Sequence, residues 1–345
     1  MPLSRRVDVT RPRRALLVLA AATVLLAPQL PGAGVSAAQA HASDQARIEL
    51  NTTWSGHRFV AGERVLVTGA ARPASAVRRV VLQRRTPTGW TKVATVSPAT
   101  ARYSLPLPTG WYGEFTYRVV ASGRDGAARA VSATRRIRVV PAYDPRGSAG
   151  AHRLTAEPVA RWEPCRVIGY RLNTAQADPG ARKDIHGALR RVYQATGLRF
   201  VYRGTTGIIP QDFVNTYPDD TDLVFAWARP SQSPLLTMNG GRPMGVGGAA
   251  WAFGFRNADG SAASRIDSGY VVLDSTQQDR LRAGFGRGVT RGELLMHEIG
   301  HAIGLQHVDD RRQLMYPLMQ RGRARWGAGD LAGLAKVGAN RGCLS

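Results

Sequence analysis

The sequence has almost no lysine. Lys92, Lys183 and Lys336 are the only three, so the other 44 of its 47 basic residues are arginine. Acidic residues number 24, and the net charge is +23. No nucleic-acid-binding motif accompanies the arginines, which run along the whole chain, so a nucleic-acid partner is not expected. Loose association with a cell wall or another anionic surface is compatible with the charge. Low-complexity tracts are missing too, and 43% of the residues are hydrophobic, the composition of a folded protein. Long apolar runs are absent. Ala15–Ala27, "ALLVLAAATVLLA", is far shorter than the roughly 20 residues that span a bilayer, and Pro28 and Pro31 interrupt the chain just after it.

That apolar stretch comes after a basic head of Arg5, Arg6, Arg11, Arg13 and Arg14, and "AQA" at Ala38–Ala40 supplies a small-residue cleavage site. The pattern is that of a secretion signal over residues 1–40. Arg5-Arg6 hints at twin-arginine export, but Asp8 sits where an apolar residue is expected. A secreted, extracellular monomer starting near His41 is therefore expected. Cysteine is scarce: Cys165 and Cys343 are the only pair. In an exported chain they read as one disulfide. The alternative is a free thiol that blocks a metal, although nothing around "WEPCRVI" resembles a blocking motif.

Residues 44–141 read as an all-β sandwich. Alternating runs such as "RVLVTG", "RRVVLQR", "TKVATV", "EFTYRVVA" and "RRIRVV" recur between turn signals, and the pattern resembles bacterial immunoglobulin-like domains. Trp90, Trp111 and Tyr112 could form an exposed platform there, though core packing is the simpler reading. "PAYDPRGSAG" opens a linker over 142–155. From 156 to 345 the pattern is mixed α and β. Strands are expected at Val167–Asn173, Leu198–Gly204, Asp222–Ala228, Ala249–Phe255 and Gly269–Ser275, with a Gly-rich loop leading into the fourth. A helix around Ile185–Tyr193 closes at Gly197. A last helix begins near Asp330, with Leu331, Leu334 and Val337 facing inward. "PDDTD", with Asp219, Asp220 and Asp222, could hold calcium or simply be solvated.

The decisive stretch is "LLMHEIGHAIGLQHVDDRRQLMYP". Thr290 and Glu293 form a T-x-x-E capping box ahead of it. His297 and His301, four residues apart on a helix, share one face. Gly304 permits a sharp turn that returns His307 as a third nitrogen ligand. Three protein ligands leave one position of a zinc tetrahedron open, the arrangement of a catalytic site. Glu298 stands beside that face without being a ligand, placed to act on a metal-bound water. Asp309 and Asp310 could brace a ligand histidine or cap the turn.

H-E-x-x-H-x-x-G-x-x-H succeeded by "LMYP" is the metzincin pattern with its Met-turn. The segment from about Trp162 to Gly342 resembles the catalytic domain of matrixin-type metzincin metallopeptidases, most closely those of bacteria. The fold implied is a multidomain one, a β-sandwich followed by an α+β catalytic domain. The resemblance implies one catalytic zinc on His297, His301 and His307, Glu298 as general base, and Met315 as an apolar floor. "GGAAWAFGF" would be the edge strand along which a peptide aligns, and Tyr316 and Pro317 the start of a pocket wall. The second, structural zinc of vertebrate matrixins has no histidines to hold it here, since His41, His57, His152 and His186 are scattered. The implied activity is that of a zinc metalloendopeptidase. Two rivals remain: an adhesive or cell-wall-binding protein that holds zinc without cleaving, and a zinc hydrolase of cell-wall peptides.

Overall fold

Alternation of buried and exposed residues governs the first region. In a computed structural model, which describes residues 47–124, 127–238 and 240–345, that region builds nine strands. They are β1 (Glu49–Trp54), β2 (Arg58–Val60), β3 (Val65–Arg72), β4 (Val77–Thr86), β5 (Gly89–Val96), β6 (Arg102–Leu107), β7 (Gly113–Gly123), β8 (Ala130–Val131) and β9 (Arg135–Val140). They form two sheets, β1-β3-β6 and β2-β9-β7-β4-β5, with β8 on β7. Val67, Leu105, Val80, Leu82, Tyr117 and Ile137 come from both sheets into one core. β1, β2, β6 and β8 lie outside the alternating runs of the sequence. β2 and β8 are too short to show a period, β1 has no apolar residue between Leu50 and Trp54, and Pro106 disguises the alternation of β6.

The second region has its own core. Its sheet runs β11 (Ala160–Arg161), β16 (Ala262–Asp274), β14 (Leu223–Ala228), β12 (Ile168–Asn173), β13 (Phe200–Thr205). These neighbours pair in parallel. β15 (Gly245–Arg256) pairs antiparallel with the other side of β16 and forms the sheet edge. The glycines expected in a loop lie inside this strand. Strands usually avoid glycine, but here α2 (Arg291–Ala302) passes so close that a Cβ on Gly247 would strike the Glu298 backbone. α1 (Ala181–Thr196) buries Ile185, Ala188, Leu189 and Val192 and ends at Gly197, φ 73°. α3 (Ala328–Val337) buries Leu334 and Val337, while Leu331 is half-buried. Cys165 and Cys343 form a disulfide, so neither is a free thiol.

Residues 142–155 lie along the second region. Tyr143 Oη donates to Trp326 O at 3.2 Å, and Ala328 N donates to Arg146 O at 2.7 Å. Arg153–Leu154 (β10) pair with Leu305–Gln306 (β17). Of the three aromatics read as platform or core, Trp90 lies under Arg118 on a sheet face, while Trp111 meets the sandwich core edge-on at Phe115 and reaches beyond it. Trp111 packs edge-on against Tyr193 of α1, and Tyr112 N donates to Gln194 O at 2.7 Å. They join the β region to the helix. Residues 1–40, expected to be a secretion signal, lie outside the described residues. Among the described residues no helix is long and apolar enough to cross a membrane.

Candidate metal centre

α2 begins with Thr290, whose hydroxyl accepts the Glu293 N–H at 3.2 Å. The reciprocal half of the capping box is not made. Glu293 instead accepts the Gln320 N–H at 2.6 Å, and its other carboxyl oxygen is buried without a protein partner. Burial pushes this carboxyl up to about 7. The helix ends where Gly304 adopts φ 106°, and a Cβ there would lie 2.6 Å from Ala160 O. Only glycine combines that backbone with that approach.

The turn carries His307 back onto α2. Its Nε2 lies 3.0 Å from His297 Nε2 and 3.1 Å from His301 Nε2. Each helical ring is fixed from behind: His297 Nδ1 lies 2.8 Å from Leu314 O and His301 Nδ1 2.9 Å from Leu305 O. A carbonyl only accepts, so both Nδ1 atoms carry hydrogen and both Nε2 atoms present lone pairs. His307 Nε2 can donate to one of them at most, which leaves at least one pair of lone pairs face to face. A cation between the three nitrogens removes that repulsion. The spacings are also near the roughly 3.3 Å edge of a tetrahedron with Zn–N bonds of about 2.0 Å. Burial lowers His297 to about 4 and His301 to about 3, with neighbouring rings adding to the effect, and burial lowers His307 as well. All three stay neutral near pH 7, the form that binds metal. The residues present fit a zinc ion.

Glu298 follows His297 on α2, and its side chain is buried against Gly245 and Gly247 of β15. Burial pushes its carboxyl up to about 8, against a hydrogen bond from Gly247. Met315 lies beneath the helix, and Gly300 leaves room for its sulfur, since a Cβ there would strike Sδ. Tyr316 packs under Arg311, and Pro317 comes next at the surface. Two residues with no signal in the sequence hold this turn. The buried Asp330 carboxylate accepts Leu314 N at 2.6 Å, Met315 N at 3.2 Å and Gly327 N at 2.7 Å. Gln313 Oε1 accepts Gly329 N and Asp330 N. Leu314 thus sits between Asp330 on its N–H and His297 on its carbonyl.

Asp309 and Asp310 do not reach a histidine. Asp310 accepts from Arg312 N and Gln313 Nε2 and caps the turn, while Asp309 is exposed near Arg153. The acidic triplet does not converge on a calcium site. Asp220 pairs with Arg171 at 3.1 Å and Asp222 accepts Gly169 N at 2.7 Å. Among the described residues, only two groups place three metal-binding atoms together: the histidines, and Glu163 with the disulfide sulfurs.

The sequence profile described as Matrixin matches residues 161–337, just over half of the 345. The chain belongs to the matrixin family. Its matrixin domain is that of a metallopeptidase, and the family implies a catalytic zinc. No curated protein matches this matrixin. Among solved structures it is similar to fibronectin(III)-like modules of CbhA from Clostridium thermocellum, at TM-score 0.22 and 19% identity over 36% of this chain and 56% of that one. It is also similar to a chitin binding domain from Burkholderia pseudomallei, at TM-score 0.21 and 12% identity over 25% and 58%. The matrixin spans little more than half of either chain.

Proposed function

We propose that this matrixin is a secreted zinc metalloendopeptidase with an immunoglobulin-like β module ahead of its catalytic domain. The observation that carries the reading is the convergence of three imidazole Nε2 atoms through 3.0–3.1 Å contacts, on a helix where the residue after His297 is the buried Glu298. His297, His301 and His307 hold the ion. Bound there, zinc would supply the Lewis acidity that lowers the pKa of water and polarises a carbonyl oxygen. Glu298 accepts the proton of the attacking water and returns it to the leaving amine. Its burial disfavours the charged form, which makes the ionised carboxylate a stronger base, and the leaving amine, more basic still, takes the proton from it. β15 lends its outer edge, whose backbone N–H and C=O groups can pair with an extended peptide. That mode suits the interior of a chain and hence endopeptidase action. Export rests on the basic head, apolar stretch and "AQA" of residues 1–40. The disulfide agrees with an oxidising compartment.

The test compares casein cleavage by residues 41–345 with that by Glu298→Ala, each loaded with zinc and assayed for bound metal. We expect about one zinc in both and a loss of at least ~10²-fold in cleavage for the variant, the low end for a general base. Equal cleavage by the two proteins refutes the role of Glu298. Zinc in both with cleavage in neither refutes the endopeptidase reading for unfolded proteins.

A further inference from the structure

The charge of this chain is not shared evenly between its two regions. Residues 47–141 hold 16 basic and 4 acidic residues, a net of +12. Residues 142–345, more than twice as many, hold 26 and 18, a net of +8. The register of the larger sheet in the first region gathers much of the excess on one face. Val80, Leu82, Phe115, Tyr117, Ile137 and Val139 point into the core. Their alternates therefore point away from it.

Those alternates line up in rows across the strands. Arg58 is opposite Arg138, which is opposite Glu114. Arg136 is opposite Thr116, and Arg85 opposite Trp90; the Arg84–Tyr117 pair sets these two side by side. Lys92 is opposite Gln83, which is opposite Arg118. Among the described residues, these rows thus hold six cations and one acid, Glu114, which approaches Arg138 only to 3.9 Å. The five strands make the platform about 19 Å wide at ~4.8 Å per strand. A shallow recess of about 480 Å³ lies along it, lined by His57, Glu114 and Thr134 with Arg135, Arg136 and Arg138.

This arrangement works against the fold. Like charges directly opposite on neighbouring strands are destabilising, and Arg58 faces Arg138. The Arg118 guanidinium has its pKa lowered, first by desolvation and then by Arg129 and Arg85. A solvated sheet face needs only polar residues, so nothing in the folding of this region calls for so many cations without counter-charge.

We propose that the outer face of the β2-β9-β7-β4-β5 sheet is a docking surface for an anionic polysaccharide. A linear chain of carboxylates or other fixed anions fits a flat grid of cations, and it supplies the missing counter-charge. A membrane surface fits less well, because the exposed aliphatic side chains on this face, Val60 and Val131, are short and stand outside the three rows. Duplex nucleic acid calls for an element that enters a groove, and a flat sheet face is not one. Single strands are held on several stacking aromatics. This face has Trp90 alone, and the Arg118 guanidinium already lies 4.0 Å from its ring centroid. The surface is independent of the peptidase reading, since it shares no residue with the metal centre.

The experiment measures binding of the intact chain to polygalacturonate at about 0.15 M salt, where weak surface attraction is screened. Dextran serves as the neutral glycan. We expect Arg85→Glu/Arg136→Glu to weaken binding by about tenfold or more and to flatten its salt dependence, as fewer counterions are displaced. Arg190→Glu/Arg203→Glu makes the same change of net charge on the other region and should leave binding within about threefold. Urea-unfolding midpoints of both variants should match the parent and report that they are folded. Unchanged affinity in the first variant, or equal loss in both, overturns the proposal. So does tighter binding to oligo-dT or to phosphatidylglycerol vesicles than to polygalacturonate.

Discussion

Removing the Asp330 carboxylate should damage both the fold and the metal centre. Its side chain is buried and receives three N–H groups, from Leu314, Met315 and Gly327. Asp330→Ala leaves all three donors with a small apolar neighbour. An orphaned buried donor costs ~1–3 kcal/mol. Three of them sum to about 3–9 kcal/mol, set against the cost of burying the carboxylate itself, which raises its pKa. The net loss is then about 3–5 kcal/mol, a large share of the ~5–15 kcal/mol that separates folded from unfolded proteins. Asp330→Asn keeps one acceptor for Leu314 and Gly327 but turns an amide N–H toward the Met315 N–H. It should lose about 1–3 kcal/mol. Leu314 O also fixes His297 Nδ1, so the alanine variant should release zinc to a chelator faster than the parent. Urea unfolding gives the energies and chelator competition gives the metal half. A loss below ~1 kcal/mol for Asp330→Ala, with unchanged zinc retention, would refute the reasoning.

Glu293 predicts a pH dependence. Its carboxyl titrates at about 7 in the fold against 4.5 normally, so the folded state holds an extra proton between those values. Stability should therefore be full below about pH 4.5 and fall by ~3 kcal/mol as the pH rises through 7. Glu293→Gln should flatten that slope in urea titrations at pH 5 and 8; an unchanged slope assigns it to other groups. Cys165→Ser/Cys343→Ser opens a loop closed across 178 residues. The chain-entropy relation gives a loss of about 5 kcal/mol, and a midpoint shift worth under ~1 kcal/mol would show that the loop adds little. Gly247→Ala drives a methyl into the Glu298 backbone. It should cost ~1–3 kcal/mol and lower kcat for casein, whereas parental kcat would mean that β15 can move away freely.

How much could be read from the chain alone depended on the distance over which residues cooperate. His297, His301 and His307 lie within eleven residues on one helix and its exit turn, so helical spacing and one glycine bring them together. Asp330 and Gln313 hold the same turn through backbone groups, and no side-chain pattern marks a carboxylate that accepts main-chain N–H groups 15 or 16 residues away. Trp111 and Tyr112 were legible only in part: Trp111 does meet the sandwich core, but both also join that region to α1. A joint between two regions buries the same residue types as a core, so composition cannot tell them apart. Gly245, Gly247 and Gly248 carried the loop signal of their type, while their use is steric: each stands where a Cβ would meet Leu273, Glu298 or Tyr270. The charge count hid its own information. Arginine looked evenly spread until strand register separated the two faces of one sheet.

The segment 142–155 sets where this molecule can be divided. By composition it is a tether, and a cut at residue 151 would look harmless. That cut removes the Arg146 carbonyl that receives Ala328 N and the Tyr143 hydroxyl that reaches Trp326. It also leaves Gln313 without the Arg146 contact at 3.4 Å. Beginning at Arg153 or later erodes β10, the strand partner of Leu305 and Gln306, next to His307. The catalytic unit therefore starts upstream of Tyr143. A shortened enzyme that begins later and loses activity reports a damaged histidine turn, and the loss says nothing about what the β region contributes.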